Sequence, residues 1–165
     1  MHIYGQPTGR NGYDVIDSPL FLYWMPVLEI DPRTGNVIWK FPFDGGYKLH
    51  VSVATAGVEQ AARMILPELQ HMKLPHKVVT SAEVYENLNA GDQHGKFITI
   101  YSGRFHETYI QVIHRIDALL SALKRIGVQA GPRPLERCGE IYVGEEKRIG
   151  VSGMLTYMTT HSFRS

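Results

Sequence analysis

Residues 47–54 read Tyr-Lys-Leu-His-Val-Ser-Val-Ala, an alternation that an extended strand turns into two unlike faces. Leu49, Val51 and Val53 fall on one face, and Lys48, His50 and Ser52 share the other. The apolar face asks for cover by other elements. The opposite face sets a lysine beside a histidine. On the residues alone this is either a solvated polar face or a compact cationic site.

The rest of the chain supplies the cover. Its 165 residues, 44% hydrophobic and 20% charged, suit one globular domain with a real core. Residues 19–30 are dense in apolar and aromatic side chains, which favours core over a peptide groove. A turn at 31–36 and a strand at 37–41 then complete a hairpin. Val58, Ala61, Ala62, Ile65, Leu66, Leu69 and Met72 form one stripe of a helix over 57–72, which Pro67 should kink or divide. A strand is expected at 76–80. Thr80 and Glu83 have capping-box spacing ahead of a short helix from Ser81 to about Leu88. Another strand is expected at 96–101. Residues 106–126 form the longest helix, burying Ile110, Ile113, Ile116, Leu119, Leu120, Leu123 and Ile126, with Gly127 as its stop. Strands are expected at 139–143 and 154–159. The fold class is α+β: a single domain, 1–165, with a mixed or mainly antiparallel sheet packed against helices. Residues 1–45, opening on a polar lead-in, have no assignable role.

Several function classes are excluded. A net charge of +1 argues against nucleic-acid binding driven by bulk charge. No apolar run approaches ~20 residues, so no membrane span is expected. The first residues lack the pattern of a signal peptide, and Cys138 is the lone cysteine, so a cytoplasmic protein without disulfides is expected. The eight histidines are scattered, and no metal site is expected. Residues 150–153 do not make a nucleophile elbow, and no phosphate-binding glycine loop is present. Asp92, Glu145 and Glu146 read as solvated loop charges.

The ordered set GYKLHVSVA, a helix, PHKVVTS and GKFITIY resembles the lyase domain of class III and IV lanthipeptide synthetases. More distantly it resembles the phosphothreonine lyases that bacterial pathogens inject as type III effectors. The match runs from about Gly46 to Tyr101, with a weaker echo at GPRPLERCGEIYV. The resemblance implies that Lys77 removes the α-proton of phosphothreonine or phosphoserine and that His50 protonates the leaving phosphate. An α-proton is weakly acidic, so the base must be a neutral amine. Lysine, with a pKa of ~10.4, reaches that state through burial or a neighbouring cation such as Lys48. Lys48, Lys96 and Tyr101 match substrate-binding positions. Regular alternation puts Lys96 and Tyr101 on opposite faces, so one of them must lie at an end or a bulge. The relatives carry an arginine in the loop before the GKF strand, where this chain has Gly91 and, beyond it, His94. The forked cation for the phosphate then falls to Arg137, Arg148 or Arg133, in that order of preference.

The residues and the resemblance together imply a phosphoserine/phosphothreonine lyase that needs no cofactor. Its substrate is a phosphorylated peptide or protein supplied by a separate Ser/Thr kinase, because 165 residues cannot also hold kinase and cyclase domains. Lanthipeptide-type peptide maturation fits this, and so does a secreted effector. The alternative is a non-catalytic phosphopeptide- or leader-peptide-binding module. A homo-oligomer is left open.

Overall fold

A computed structural model describes residues 13–17, 19–26, 29–30, 32–34, 37–38, 47–91, 94–101, 106–134, 137–138 and 142–162. Among the described residues ten strands and three α-helices follow in the order β1 (Tyr13–Asp17), β2 (Phe21–Pro26), β3 (Glu29–Ile30), β4 (Val37–Ile38), β5 (Tyr47–Val51), α1 (Val58–His71), β6 (His76–Val79), α2 (Ala82–Leu88), β7 (Ile98–Tyr101), α3 (His106–Arg125), β8 (Arg137–Cys138), β9 (Tyr142–Arg148) and β10 (Leu155–Ser162). Eight strands form one sheet in the order β1-β2-β6-β7-β5-β10-β9-β8, and every described pairing is antiparallel. The expected α+β class stands, with the antiparallel form of the sheet. The hairpin expected at 19–41 reduces to β3 and β4, two residues each. The first twelve residues and 39–41 lie outside the described residues.

The alternation in β5 sorts the sheet as expected. Leu49, Val51, Val78, Ile98, Ile100 and Leu155 join Ile65 and Leu69 of α1 and Ile116, Leu120 and Leu123 of α3 in one core. Burying each of these large side chains stabilises the fold by roughly 1.5–3 kcal/mol. Helix α1 runs through Pro67 as one helix, so the expected division does not occur. Helix α2 is capped by Ser81, whose hydroxyl accepts from the Val84 amide at 3.1 Å. Thr80, the expected cap, instead donates to the Pro19 carbonyl at 3.1 Å. On α3 the buried face is narrower than the periodicity suggested. Ile110 is 54% and Ile126 65% exposed, while Val112 turns inward. Gly127 ends the helix with φ of 99°, and the Val128 amide bonds back to the Leu123 carbonyl.

Two contacts hold the strands that carry the polar face. Asp117 of α3, 8% exposed, accepts from the amides of Val151 and Ser152 at 2.9 and 3.1 Å and so fixes the β9–β10 connection. Burial alone would raise its pKa. The bonds from Ser152 and Val151 outweigh that and hold the carboxyl below its ordinary value. Next to Lys77, His76 is fully buried on the apolar face and stacks on Trp24 of β2, with centroids 6.0 Å apart. Its Nδ1 lies 2.8 Å from the Leu74 carbonyl, which fixes Nδ1 as the donor.

Burial pushes the His76 pKa down to about 4, against the backbone bond that pulls it up. The unfolded chain therefore binds a proton below about 6.5 that the folded chain refuses until about 4. Stability should fall as the pH drops through that window, by roughly 3 kcal/mol from this group. Urea unfolding of the wild type and of His76→Phe between pH 7 and 4 should show a shallower loss in the variant. Identical pH dependence would contradict this role.

Candidate active site

The polar face of the sheet is built by register. Tyr23 of β2 pairs with Lys77 of β6, Lys77 with Thr99 of β7, Thr99 with His50 of β5, His50 with Thr156 of β10, and Thr156 with Arg148 of β9. Directly paired residues point to the same side of an antiparallel sheet, so this row crosses the polar face from one wing to the other. A second row, two residues along, holds Tyr101, Lys48, Met158 and Glu146. Lys48, His50, Lys77 and Tyr101 therefore share one face, with β7 standing between the strands of His50 and Lys77. Lys48 and Lys77 are half-buried, whereas His50 and Tyr101 are buried.

The N-terminal strands, which had no assignable role, wall this face. Lys77 Nζ lies 4.1 Å from the centre of the Phe21 ring and 5.9 Å from that of Tyr23, both on β2. Lys48 Nζ lies 5.7 Å from the centre of the Tyr101 ring. Each Nζ is held toward an aromatic face.

Lys96 precedes β7 rather than belonging to it. Phe97 and Ile98 are consecutive and both in the core, so alternation breaks there. That break answers the conflict between Lys96 and Tyr101. Lys96 is 3% exposed, and its charge acts on His50.

Glu146, expected to be a solvated loop charge, is the residue that sequence reasoning missed. It lies in β9, is 1% exposed, and places Oε1 at 2.6 Å from His50 Nδ1. The two side chains meet over β10, between Thr156 and Met158. The atoms are within bonding distance but not aligned as a hydrogen bond, so the contact is chiefly the attraction of the carboxylate for the Nδ1 edge of the ring. A carboxylate at Nδ1 keeps the proton on that nitrogen and leaves Nε2 for a ligand. Burial lowers the His50 pKa. Glu146 pulls it up, and Lys96 and Lys48 push it down, leaving it below 6.5.

Residues 131–134 lie along the same face at the end of β5. Ser52 Oγ donates to the Pro132 carbonyl at 2.5 Å, and the Gly131 amide donates to the Ser52 carbonyl at 3.2 Å. Gly131 is required there because a Cβ would collide with the Val53 carbonyl. This segment delivers Arg133, whose guanidinium donates to the Glu146 carbonyl at 2.8 Å. His94 Nδ1 lies 3.0 Å from the Arg133 carbonyl. Arg148 is exposed and ends the His50 row. Arg137 pairs with Gly144 at the edge of the sheet, and its side chain lies outside the described residues, as does Asp92. Gly91 is exposed, with open space where a side chain would begin. Among the described residues no group of three or more histidine, cysteine, aspartate or glutamate side chains could hold a metal ion, and no helix is long and apolar enough to cross a membrane.

The architecture has solved counterparts. The phosphothreonine lyase SpvC, an effector protein from Salmonella, superposes with a TM-score of 0.56 at 19% identity, covering 95% of this chain and 73% of its own. The type III effector and phosphothreonine lyase OspF from Shigella flexneri gives 0.52 at 16% identity, covering 92% and 72%. The phosphothreonine lyase effector VirA from Chromobacterium violaceum gives 0.57 at 17% identity, covering 90% and 65%. At such identities the likeness is one of fold, and the chain has the phosphothreonine lyase fold. Against curated proteins the sequence finds no match. A family profile described as "RamC, N-terminal domain" matches residues 39–132. That match spans more than half of the chain, and the chain belongs to the RamC N-terminal domain family.

Proposed function

We propose that this protein removes phosphate from phosphoserine or phosphothreonine in a peptide by β-elimination, leaving dehydroalanine or dehydrobutyrine. The observation that carries the reading is the register row in which Lys77 and His50 stand on a single polar face, with one strand between them. An elimination needs a base at the α-carbon and an acid at the leaving oxygen, reached at once by one substrate. Lys77, as a neutral amine, takes the α-proton. The electron pair left on the α-carbon forms the double bond as the Cβ–O bond breaks. The departing phosphate takes a proton from His50. Lys48 and the Tyr101 hydroxyl stand ready for the negative charge that develops on the substrate carbonyl. Lys96, Arg148 and Arg137 are assigned to the phosphate.

The Glu146 contact fits this chemistry. Burial outweighs Glu146 and holds His50 below its ordinary pKa. An arriving phosphate dianion adds a second negative neighbour, which favours the imidazolium when a proton is needed. The steps call for no cofactor. Membership of the RamC N-terminal domain family favours peptide maturation of the lanthipeptide type, in the cytoplasm, with a separate Ser/Thr kinase making the substrate. The effector relatives favour instead a secreted protein acting on a phosphorylated protein.

One observation favours a second reading. Gly91 leaves open space where the family resemblance implies an arginine, and Arg133 is engaged by the Glu146 carbonyl. A site short of a forked cation could hold a phosphopeptide without breaking the bond.

Mass spectrometry of an incubated phosphopeptide, paired with a binding titration, separates the two. Elimination removes the elements of phosphoric acid and leaves an alkene, whereas hydrolysis leaves the alcohol. The expected result is the alkene from wild type, no turnover in Lys77→Ala with phosphopeptide binding intact, and elimination ~10²–10⁴-fold slower in His50→Ala. Full activity in Lys77→Ala would remove the base. Binding by wild type without any elimination would leave the binding module.

A further inference from the structure

The row that joins Lys77 to Arg148 contains two residues that the elimination leaves without a role. Thr99 and Thr156 flank His50, one on each neighbouring strand, and are 2% and 5% exposed. Their hydroxyl oxygens are closed off from solvent, and among the described residues neither has a hydrogen-bond partner. Buried hydroxyls are almost always bonded, because losing water without gaining a partner is unfavourable. Two such groups on either side of one histidine mark a place where a polar ligand belongs. The sign of its charge follows from the surroundings. The Glu146 carboxylate is taken up by His50 Nδ1, while Lys96 and Lys48 both act on the ring and Arg148 ends the row.

We propose that Thr156 is a ligand of the phosphate group, and that the substrate lies along the row with its α-carbon toward Lys77 and its phosphorus beyond His50, over Thr156. The orientation rests on the lyase reading, while the anion site rests on the threonines and the cations around them. Neighbouring strands are about 4.8 Å apart, so the backbones of Lys77 and His50 are separated by roughly 10 Å, a gap their side chains narrow from both ends. The Cα–Cβ–O segment of a phosphorylated residue then lies over Thr99. With the bridging oxygen at His50, the phosphorus continues outward, over Thr156 and toward Arg148. The Thr156 hydroxyl donates to a non-bridging oxygen, while Thr99 stays under the bond that breaks.

Thr156→Val keeps the shape and removes the hydroxyl, and Thr156→Ser restores it. Binding of inorganic phosphate, followed by calorimetric titration, is compared with KM and kcat for a phosphopeptide. Loss of one such bond should weaken phosphate binding by roughly tenfold and raise KM more than it lowers kcat, with recovery in Thr156→Ser. Thr99→Val should spare phosphate affinity and lower kcat. Wild-type phosphate affinity in Thr156→Val would overturn the assignment, as would a larger loss in Thr99→Val. If Thr156→Val fails to fold, Thr156→Ala carries the same comparison. Phosphate binding that depends on Thr156 in a protein that eliminates nothing would sink the lyase reading and keep the anion site. Elimination by a wild type whose phosphate affinity ignores Thr156 would do the reverse.

Discussion

A carboxylate and an imidazole buried together over β10 govern what this sheet can do. Glu146 and His50 are 1% and 2% exposed and come within 2.6 Å. Removing either partner would strand the other in a setting that disfavours polar groups, so both must be delivered together. That requirement fixes the β9–β10 register, which pairs Met158 with Glu146 and Thr156 with Arg148. The hairpin is pinned by Asp117 from α3, and the Glu146 carbonyl by Arg133 from the segment over Ser52. The core helix and the strap on the polar face thus serve one contact from opposite sides.

The two faces of the sheet divide the labour. Below, Leu49, Val51, Ile98 and Ile100 lock β5 and β7 against α1 and α3 and give the upper face a rigid floor. Above, the side chains stand at the strand spacing, so base, hydroxyl and histidine come in sequence without any loop having to place them. The wing made by β1 and β2 supplies the aromatic surface on which Lys77 rests. A segment with no visible chemistry of its own therefore shapes the surroundings of the proposed base.

Much of this was legible in the sequence, because alternation reports directly on faces. The split of residues 47–54 placed Lys48, His50 and Ser52 together, and the stripes of α1 and α3 located the core. Glu146 was not legible. In Gly144-Glu145-Glu146-Lys147-Arg148 both faces of the strand are polar, so no period separates the buried position from its neighbours. Its burial is set by a partner nearly a hundred residues earlier. Ile110 and Ile126 misled for the opposite reason: periodicity marks the apolar stripe but not where along α3 the sheet stops covering it. Pro67 does not divide α1, because packing of the surrounding apolar stripe keeps the helix whole. The placement of Lys96 depends on an irregularity at Phe97 that local alternation cannot announce.

The pairing of His50 with Glu146 can be observed directly. Long-range nitrogen–proton NMR correlation of the histidine ring, recorded across pH in the wild type and in Glu146→Gln, reports which nitrogen holds the proton and where the ring titrates. The expected wild-type pattern is a neutral ring protonated at Nδ1 at neutral pH. Glu146→Gln should move the titration lower still, because the carboxylate is the group that raises it against burial and the lysines. A wild-type ring protonated at Nε2, or a titration unchanged in Glu146→Gln, would contradict the contact on which the site depends.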